Sequence, residues 1–266
     1  VPHLISAAYD MCMYQEGTLT ASNYNEWAKV YDLIYGSYRD DIVFYKGEAK
    51  KVGGKVLEVA CGTGRIYLEL LKEGIDAYGM DISEEMLATL RSKAAELRLS
   101  PKVEVADMRD FSFDQRFSMI IVPFRSFLYN LTSEDQLRTL GNFKAHLLPG
   151  GKLILNFFYP DLERMISYGK EAEEITVLGK SDYILREKSR FVSEVDQIIE
   201  TDAVIYKGRD LFWRGNYRLA LIYKREFELL LRLAGFKKWS VYGGFDYRPL
   251  TSYKQEMVWI VERPEE

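Results

Sequence analysis

The segment Val56-Leu57-Glu58-Val59-Ala60-Cys61-Gly62-Thr63-Gly64-Arg65-Ile66 runs an apolar strand straight into a short glycine-rich turn. A helix is expected from residue 64 onward. Such a turn, at the carboxyl end of a buried parallel strand, lets a polar ligand approach the backbone closely. Side chains at Gly62 and Gly64 would occupy the space that a ligand needs. A tight strand-to-helix turn with no ligand has the same spacing, so a ligand must be argued from residues elsewhere.

Outward from this segment, strands and helices alternate. The pattern predicts strands over 55–60, 76–80, 102–106, 117–122 and 152–158, with helices over 64–73, 83–97 and 133–147. Short β runs joined by helices of this length indicate a parallel sheet covered on both faces. Ser83-Glu84-Glu85-Met86 and Thr132-Ser133-Glu134-Asp135 each place a hydroxyl before a run with acids, the pattern of a capped helix start. Leu148-Pro149-Gly150-Gly151 is read as a helix stop and tight turn. Upstream, Trp27, Val30, Tyr31 and Ile34 recur at helical spacing and predict one helix over 23–35, with a second over 39–50 ending at Gly53-Gly54. After Pro160 the pattern changes. Runs such as Tyr183-Ile184-Leu185-Arg186-Glu187 and Gln197-Ile198-Ile199-Glu200-Thr201 fit antiparallel strands with one wet face over 173–221. A helix over 223–234, closed by Gly235, and a hairpin-like pair of strands over 238–242 and 257–261 complete the chain.

The 266 residues are 47% hydrophobic and 29% charged, and the formal net charge of -4 argues against a nucleic-acid partner. The two cysteines, Cys12 and Cys61, have no metal-ligand partners at short spacing, which favours a reducing, cytoplasmic setting. Residues 1–17 carry no basic residue ahead of an apolar run, so no signal peptide is expected there. No apolar run is long enough to span a bilayer, and no membrane partner is expected. The nineteen tyrosines and fourteen phenylalanines suit pockets or strands with amphipathic rings.

Two ligand types sit on such a turn, a dinucleotide or S-adenosylmethionine (SAM). The dinucleotide fingerprint requires a third glycine where this chain has Tyr67. SAM has no pyrophosphate and removes that requirement. Glu58, a carboxylate inside an apolar strand, needs a partner that the turn or a ligand could supply. Asp81 follows the second strand, where an acid can accept hydrogen bonds from both ribose hydroxyls. Val105-Ala106-Asp107-Met108 ends the third strand with a carboxylate and an apolar residue, a pair suited to an adenine.

Together these residues resemble the class I SAM-dependent methyltransferases, through Glu58-Val59-Ala60-Cys61-Gly62-Thr63-Gly64, Asp81, Ala106-Asp107-Met108 and Leu147-Leu148-Pro149-Gly150-Gly151-Lys152, over about 55–158. The resemblance implies a Rossmann-like α/β fold. Its mostly parallel seven-stranded sheet would have helices on both faces, with an antiparallel β cap inserted after the fifth strand. It divides the chain into an N-terminal helical lid (1–50), a SAM-binding core (51–160), the cap (161–222) and a C-terminal part (223–266). It implies that the backbone near Ala60 and Gly62 holds the methionine part, Asp81 the ribose, and Asp107 and Met108 the adenine, with Glu58, Gly64, Ile82, Met86, Pro123 and Phe124 also at the cofactor. S-adenosylhomocysteine (SAH) would be the product.

The flanks narrow the resemblance. Tyr24-Asn25-Glu26-Trp27-Ala28-Lys29-Val30-Tyr31-Asp32-Leu33-Ile34-Tyr35 is similar to the N-terminal segment of small-molecule methyltransferases of the amino-sugar and glycine N-methyltransferase types. Tyr24 and Tyr31 would then close over the cofactor, although packing of aromatic rings on the sheet is the plainer reading. Ser126-Phe127-Leu128 fits the loop that borders the transferred methyl. His146, late in a helix, is expected to face solvent or cap the last carbonyls rather than act as a base, and Cys61 to be a small apolar filler. Arg214-Gly215-Asn216-Tyr217-Arg218 reads as a wet strand face.

The reaction so implied is in-line displacement onto a small-molecule acceptor, with orientation able to supply about 7–11 kcal/mol. The lack of a plausible histidine base favours an amine nitrogen, or an acidic oxygen, over an ordinary alcohol. Arg125, Tyr129, Trp213, Tyr217, Tyr247 and Arg248 are the candidates to line the acceptor site. Val122-Pro123-Phe124-Arg125 lacks the Asp/Asn-Pro-Pro-Tyr of DNA amino-methyltransferases, no Pro-Cys nucleophile is present, and no metal is expected. A non-catalytic SAM- or adenine-nucleotide-binding module and a dinucleotide oxidoreductase are the alternatives. Exposed edges of the β insertion could pair two subunits as a homodimer.

Overall fold

Val56–Val59 (β1) is apolar except at Glu58 and buried at every position, because Ala77–Asp81 (β2) pairs with it on one side and Phe117–Val122 (β4) on the other, both parallel. The computed structural model describes residues 21–169, 173–176 and 182–265. Cys12 and the 1–17 stretch lie outside them. Lys102–Val105 (β3) extends the sheet beyond β2, and Leu147–Phe158 (β5) pairs parallel with β4. Lys238–Tyr242 (β10) and Glu256–Glu262 (β11) close the other edge as an antiparallel pair. The seven strands run in the order β10-β11-β5-β4-β1-β2-β3. This is the Rossmann-like fold class expected.

Alternation along the strands sorts side chains onto two faces. Leu153, Leu155 and Phe157 of β5 join a core with Leu140 and Phe143 of Ser133–His146 (α6) and Phe227, Leu230 and Leu231 of Lys224–Leu233 (α8, after the short α7, Leu162–Ile166). Ile154 and Val258 face the opposite way. They meet Phe44, Tyr45 and Ala49 of Ile42–Val52 (α3), Leu68 and Leu70 of Tyr67–Lys72 (α4), and Leu87 and Leu90 of Glu84–Glu96 (α5). Ser83 and Thr132 cap α5 and α6 through their hydroxyls, which accept the amides of Met86 and Asp135. Gly235, at φ +81°, ends α8 as the Phe236 amide returns to the Leu231 carbonyl.

Three local features differ from the sequence pattern. The helix expected over 23–35 is two helices, Ala21–Ala28 (α1) and Tyr31–Tyr35 (α2), because Val30 leaves helical geometry at φ -122° and turns into the core. The helix after the glycine turn starts at Tyr67 rather than at Gly64, which sits at φ +86°. The Leu148-Pro149-Gly150-Gly151 turn belongs to β5 as an irregularity: pairing breaks between Phe117 and Met119, while Gly150 and Gly151 exchange backbone hydrogen bonds with Arg263.

The expected β insertion forms a second sheet of four strands: Glu173–Thr176 (β6), Tyr183–Ser193 (β7), Ile198–Lys207 (β8) and Asp210–Ala220 (β9). Leu185, Ala203, Ile205 and Trp213 face inward and cluster with Trp27 and Val30 of the N-terminal segment. Trp27 packs edge-on to Trp213 at 4.5 Å and to Tyr217 at 5.6 Å. The N-terminal helices and the cap are therefore held to each other as well as to the core. Among the described residues, no helix is long and apolar enough to cross a membrane.

Phe227 is fully buried, with ring centroids 4.8 Å from Trp259, 5.1 Å from Phe157 and 5.4 Å from Phe127. Phe227→Ala should cost about 3–5 kcal/mol. In urea unfolding the midpoint should fall while the slope stays constant; an unchanged midpoint would contradict this packing.

Candidate active site

The sheet reverses its winding between β1 and β4, and ligands of open α/β sheets bind outside the carboxyl ends of the strands at such a point. The chain leaves β1 through Ala60 at φ 55° and Gly62 at φ 54°, which lifts the backbone of the turn toward this crevice. The Gly62 amide donates to Asp81 Oδ2 at 2.8 Å and the Ser83 amide to Oδ1 at 2.9 Å, so one carboxylate ties the two loops together. Burial pushes the Asp81 carboxyl up, and the amides of Ser83 and Gly62 oppose that rise. A Cβ built on Gly62 would meet nothing within 4 Å, whereas one on Gly64 would come within 2.9 Å of both Leu68 and Leu90. Gly64 is thus required by helix packing, not by room for a ligand.

The crevice is a cavity of about 310 Å³. Ala60, Gly62, Asp81 and Ile82 form one end, with Met86 beside them and Asp107 and Met108 on the β3 side. Tyr31 and Tyr35 from α2 and Trp27 from α1 cover it, and Phe124, Tyr129 and Tyr217 line the part toward the cap. Asp107 is held by its neighbour: Arg109 reaches Oδ2 at 2.6 Å and also pairs with Asp135 at 3.1 Å. Burial works to raise the Asp107 carboxyl, but Arg109 overcomes it and holds the group below its ordinary range. Burial likewise raises the phenols of Tyr31, to about 12, and of Tyr35, Tyr129 and Tyr217.

Glu58 lies beneath the turn, off the cavity wall, with Oε2 buried and without a partner. Burial pushes its carboxyl well up, against the attraction of Arg65. Arg65 itself makes a two-pronged contact with Asp41, at 2.6 and 2.7 Å, and its guanidinium lies between the rings of Tyr38 and Phe124. Its Nε has no partner.

After β4, Phe124 and Arg125 occupy consecutive left-handed positions at φ 55° and 69°, costly for residues with a Cβ. Asn156 of β5 holds them there. Its Oδ1 accepts the Phe124 amide at 2.9 Å and the Tyr45 hydroxyl at 2.8 Å, its Nδ2 donates to Glu256, and its carbonyl accepts the Arg125 amide. Arg125 closes the network by pairing with Glu256 at 2.9 Å. Phe124 is thereby aimed at Tyr35, with ring centroids 4.9 Å apart.

Several expected site residues lie elsewhere. Tyr247 packs on Phe44 at 5.2 Å and donates to Glu48 at 2.6 Å, and Arg248 is exposed beside Asp246. The loop between β10 and β11 is drawn onto the α3 face by the rings of Phe245 and Tyr247, away from the acceptor side. Trp213 stands behind Trp27 rather than on the wall, and Pro123 serves the loop by accepting the Ser126 hydroxyl at 2.8 Å. Tyr24 lies in α1, its side chain outside the described residues. His146 does not face the crevice: its Nδ1 meets the Asn142 carbonyl, its Nε2 accepts the Phe113 amide, and its ring packs on Phe111 near the amino end of β4. Asp41, Asn156 and Glu256 were not singled out by the sequence pattern. Of these, Asn156 carried a signal, a polar residue within Leu153-Ile154-Leu155-Asn156-Phe157-Phe158. Among the described residues, no cluster of His, Cys, Asp and Glu is placed to hold a metal.

Residues 56–151 match the family model of a methyltransferase domain. The chain is similar to the dTDP-3-amino-3,4,6-trideoxy-alpha-D-glucopyranose N,N-dimethyltransferase of Streptomyces venezuelae, 32% identical over 50% of this chain and 58% of that protein. It therefore spans little more than half the length of that relative. It is also similar to the cypemycin N-terminal methyltransferase of a Streptomyces species, 26% identical over 91% of this chain and 98% of that one. The structure of the CcbJ methyltransferase from Streptomyces caelestis shares the fold at a TM-score of 0.78 and 21% identity, covering 91% of this chain and 98% of the other. Residues 56–151 thus match a methyltransferase domain, and the whole described chain shares the fold of a solved methyltransferase.

Proposed function

We propose that this chain transfers a methyl group from SAM to an amine nitrogen of a small molecule. The observation that carries the proposal is one continuous cavity joining two unlike ends: a backbone cradle with Gly62 and Asp81, and an aromatic chamber under the cap. The open space over Gly62, where the backbone of the turn faces the cavity with no side chain between, fits a ligand with polar groups at this end, as the methionine part of SAM has. Tyr67 adds to this choice. In place of a third glycine, its ring lies against Gly79, and its hydroxyl accepts the Lys102 amide and donates to the Ala77 carbonyl. A helix start carrying this buried ring does not have the close glycine packing of a dinucleotide site.

In this reading Asp81 holds the ribose, Asp107 and Met108 border the adenine, and Tyr31 closes over the cofactor. Bound there, SAM supplies a methyl carbon on a positively charged sulfur that leaves as a neutral thioether. The chain's own work is to exclude water and hold the acceptor in line, an orientation effect of about 7–11 kcal/mol. Phenols are protonated at neutral pH, and burial raises those of Tyr35, Tyr129 and Tyr217 further. They orient an acceptor by hydrogen bonding and are poor bases. An amine reaching the site with its lone pair free needs no base, whereas an alcohol does. The similarity to an N,N-dimethyltransferase of an amino sugar and to an N-terminal methyltransferase supports nitrogen as the acceptor.

Two measurements test this. Calorimetry should show SAH binding and no response to NADH. Asp81→Ala should weaken SAH roughly 10- to 100-fold, the worth of hydrogen bonds to a charged group. Unchanged affinity would remove Asp81 from the ribose site. The second concerns Glu58 in the ligand-free protein. Its folded carboxyl titrates above the unfolded one, so its contribution to stability is full below the unfolded value and is lost as pH rises toward the folded one. Glu58→Gln removes that loss. Its stability relative to the parent should therefore grow between pH 5 and 8, by at most about 1.4 kcal/mol per pH unit. A pH-independent difference in urea unfolding would count against a buried, proton-holding Glu58.

A further inference from the structure

The cap carries a carboxylate on the face that it turns toward the cavity. Side chains of a strand alternate between faces, and Leu185 of β7 points inward, so Glu187 does too. Its cross-sheet neighbours in register are Glu173 of β6 on one side and, on the other, Ala203 and beyond it Gly215. None of these positions holds a cation. Gly215 is also where the Trp213 ring lies across the sheet, since a Cβ there would come within 2.4 Å of it. The Tyr217 hydroxyl donates to Glu187 Oε1 at 3.0 Å, and Tyr217 itself lines the cavity. The cap's ion pairs, Arg190 with Glu200 and Asp202 and Arg218 with Glu200, lie on the other face by the same alternation. Nearby Arg125 has its charge met by Glu256. Glu187 is close enough to the chamber to reinforce burial in raising the phenols of Tyr35, Tyr129 and Tyr217.

We propose that Glu187, held by Tyr217, whose ring packs on Trp27 and lines the cavity together with Tyr35 and Tyr129, is the specificity-determining residue that selects a cationic amine as acceptor. The inference rests on the methyltransferase reading and deepens it. Rings present negative faces to a cation, and a carboxylate among them distinguishes an ammonium from a neutral group of the same shape. An amine is cationic as the ammonium that binds, gives its proton to solvent water before its lone pair attacks, and is cationic again once the methyl has passed from sulfur to nitrogen. One carboxylate therefore serves both the arriving acceptor and the methylated product.

The test uses choline and its uncharged isostere 3,3-dimethylbutan-1-ol, titrated calorimetrically into the full chain saturated with SAH. Choline should bind at least tenfold more tightly than the isostere. Glu187→Gln should weaken choline at least fivefold without changing the isostere, and Tyr217→Phe, which keeps the ring and frees the carboxylate, should have a smaller effect. Equal binding of the two probes by the parent, or a choline affinity untouched by Glu187→Gln, overturns the proposal. SAH affinity of each variant, measured separately, reports on folding. If Glu187→Gln loses SAH, Glu187→Asp takes its place in the comparison. If the parent itself fails to bind SAH, the methyltransferase reading fails, while probe discrimination is still read on the protein alone.

Discussion

The buried pair of Asp41 and Arg65 is the point at which the lid, the glycine turn and the loop after β4 are fastened together. Both side chains are almost wholly removed from water, and the guanidinium meets the carboxylate through two of its nitrogens. Taking two charges out of water is expensive, and such a pair repays it only in good geometry. Its value here is positional. Asp41 opens α3, Arg65 leaves the turn after β1, and Phe124 of the β4 loop stacks over the guanidinium. Asp32 of α2 adds a second tie by accepting the Thr63 hydroxyl at 2.6 Å and pairing with Lys93 of α5 at 2.8 Å. Loss of either charge of the main pair would leave the other stranded beneath the cavity, next to Glu58.

A similar economy governs the part of the cavity toward the cap. Two consecutive left-handed residues, Phe124 and Arg125, persist because Asn156 satisfies their backbone and Glu256 fixes the Arg125 guanidinium. The antiparallel strand β11 therefore does more than complete the sheet. It carries Glu256 to the carboxyl end of β5, since Glu256 stands opposite Phe158 in register. The strain of the loop is thereby balanced by hydrogen bonds that begin on the last strand of the fold.

What could be read from the sequence was local chemistry. Asp81 ends a strand, and Gly62 and Asp107 follow one by two or three residues, so strand pattern and residue type together placed them on the cavity. Tyr67 in place of a glycine was equally legible. Long-range packing was not. Tyr247 and Arg248 belong to a loop whose course depends on rings of α3 some two hundred residues earlier, and no periodicity encodes that contact. The break between α1 and α2 follows from Val30 seeking the core, which a helical spacing of apolar residues does not distinguish from a continuous helix. Gly64 was placed correctly at the turn but for a different reason, the approach of Leu68 and Leu90. Asp41 and Glu187 drew no notice because each acts through a partner far away in the chain.

The placement of charge along the cavity ties these parts to one chemistry. Arg65, Arg109 and Arg125 all stand near it, and each is matched by carboxylates of the chain itself: Asp41, Asp107 with Asp135, and Glu256. Asp81 and Glu187 are bound instead by neutral donors. The field left over in a low-dielectric chamber is therefore negative at both ends, and it acts more strongly there than it would in water. A sulfonium donor and an amine acceptor are both cationic species at some stage of methyl transfer. In-line displacement moves positive charge from sulfur to nitrogen without changing the total. A cavity with carboxylates toward both ends can accompany that movement without rearranging its own charges, which is the preorganisation that makes electrostatic stabilisation effective.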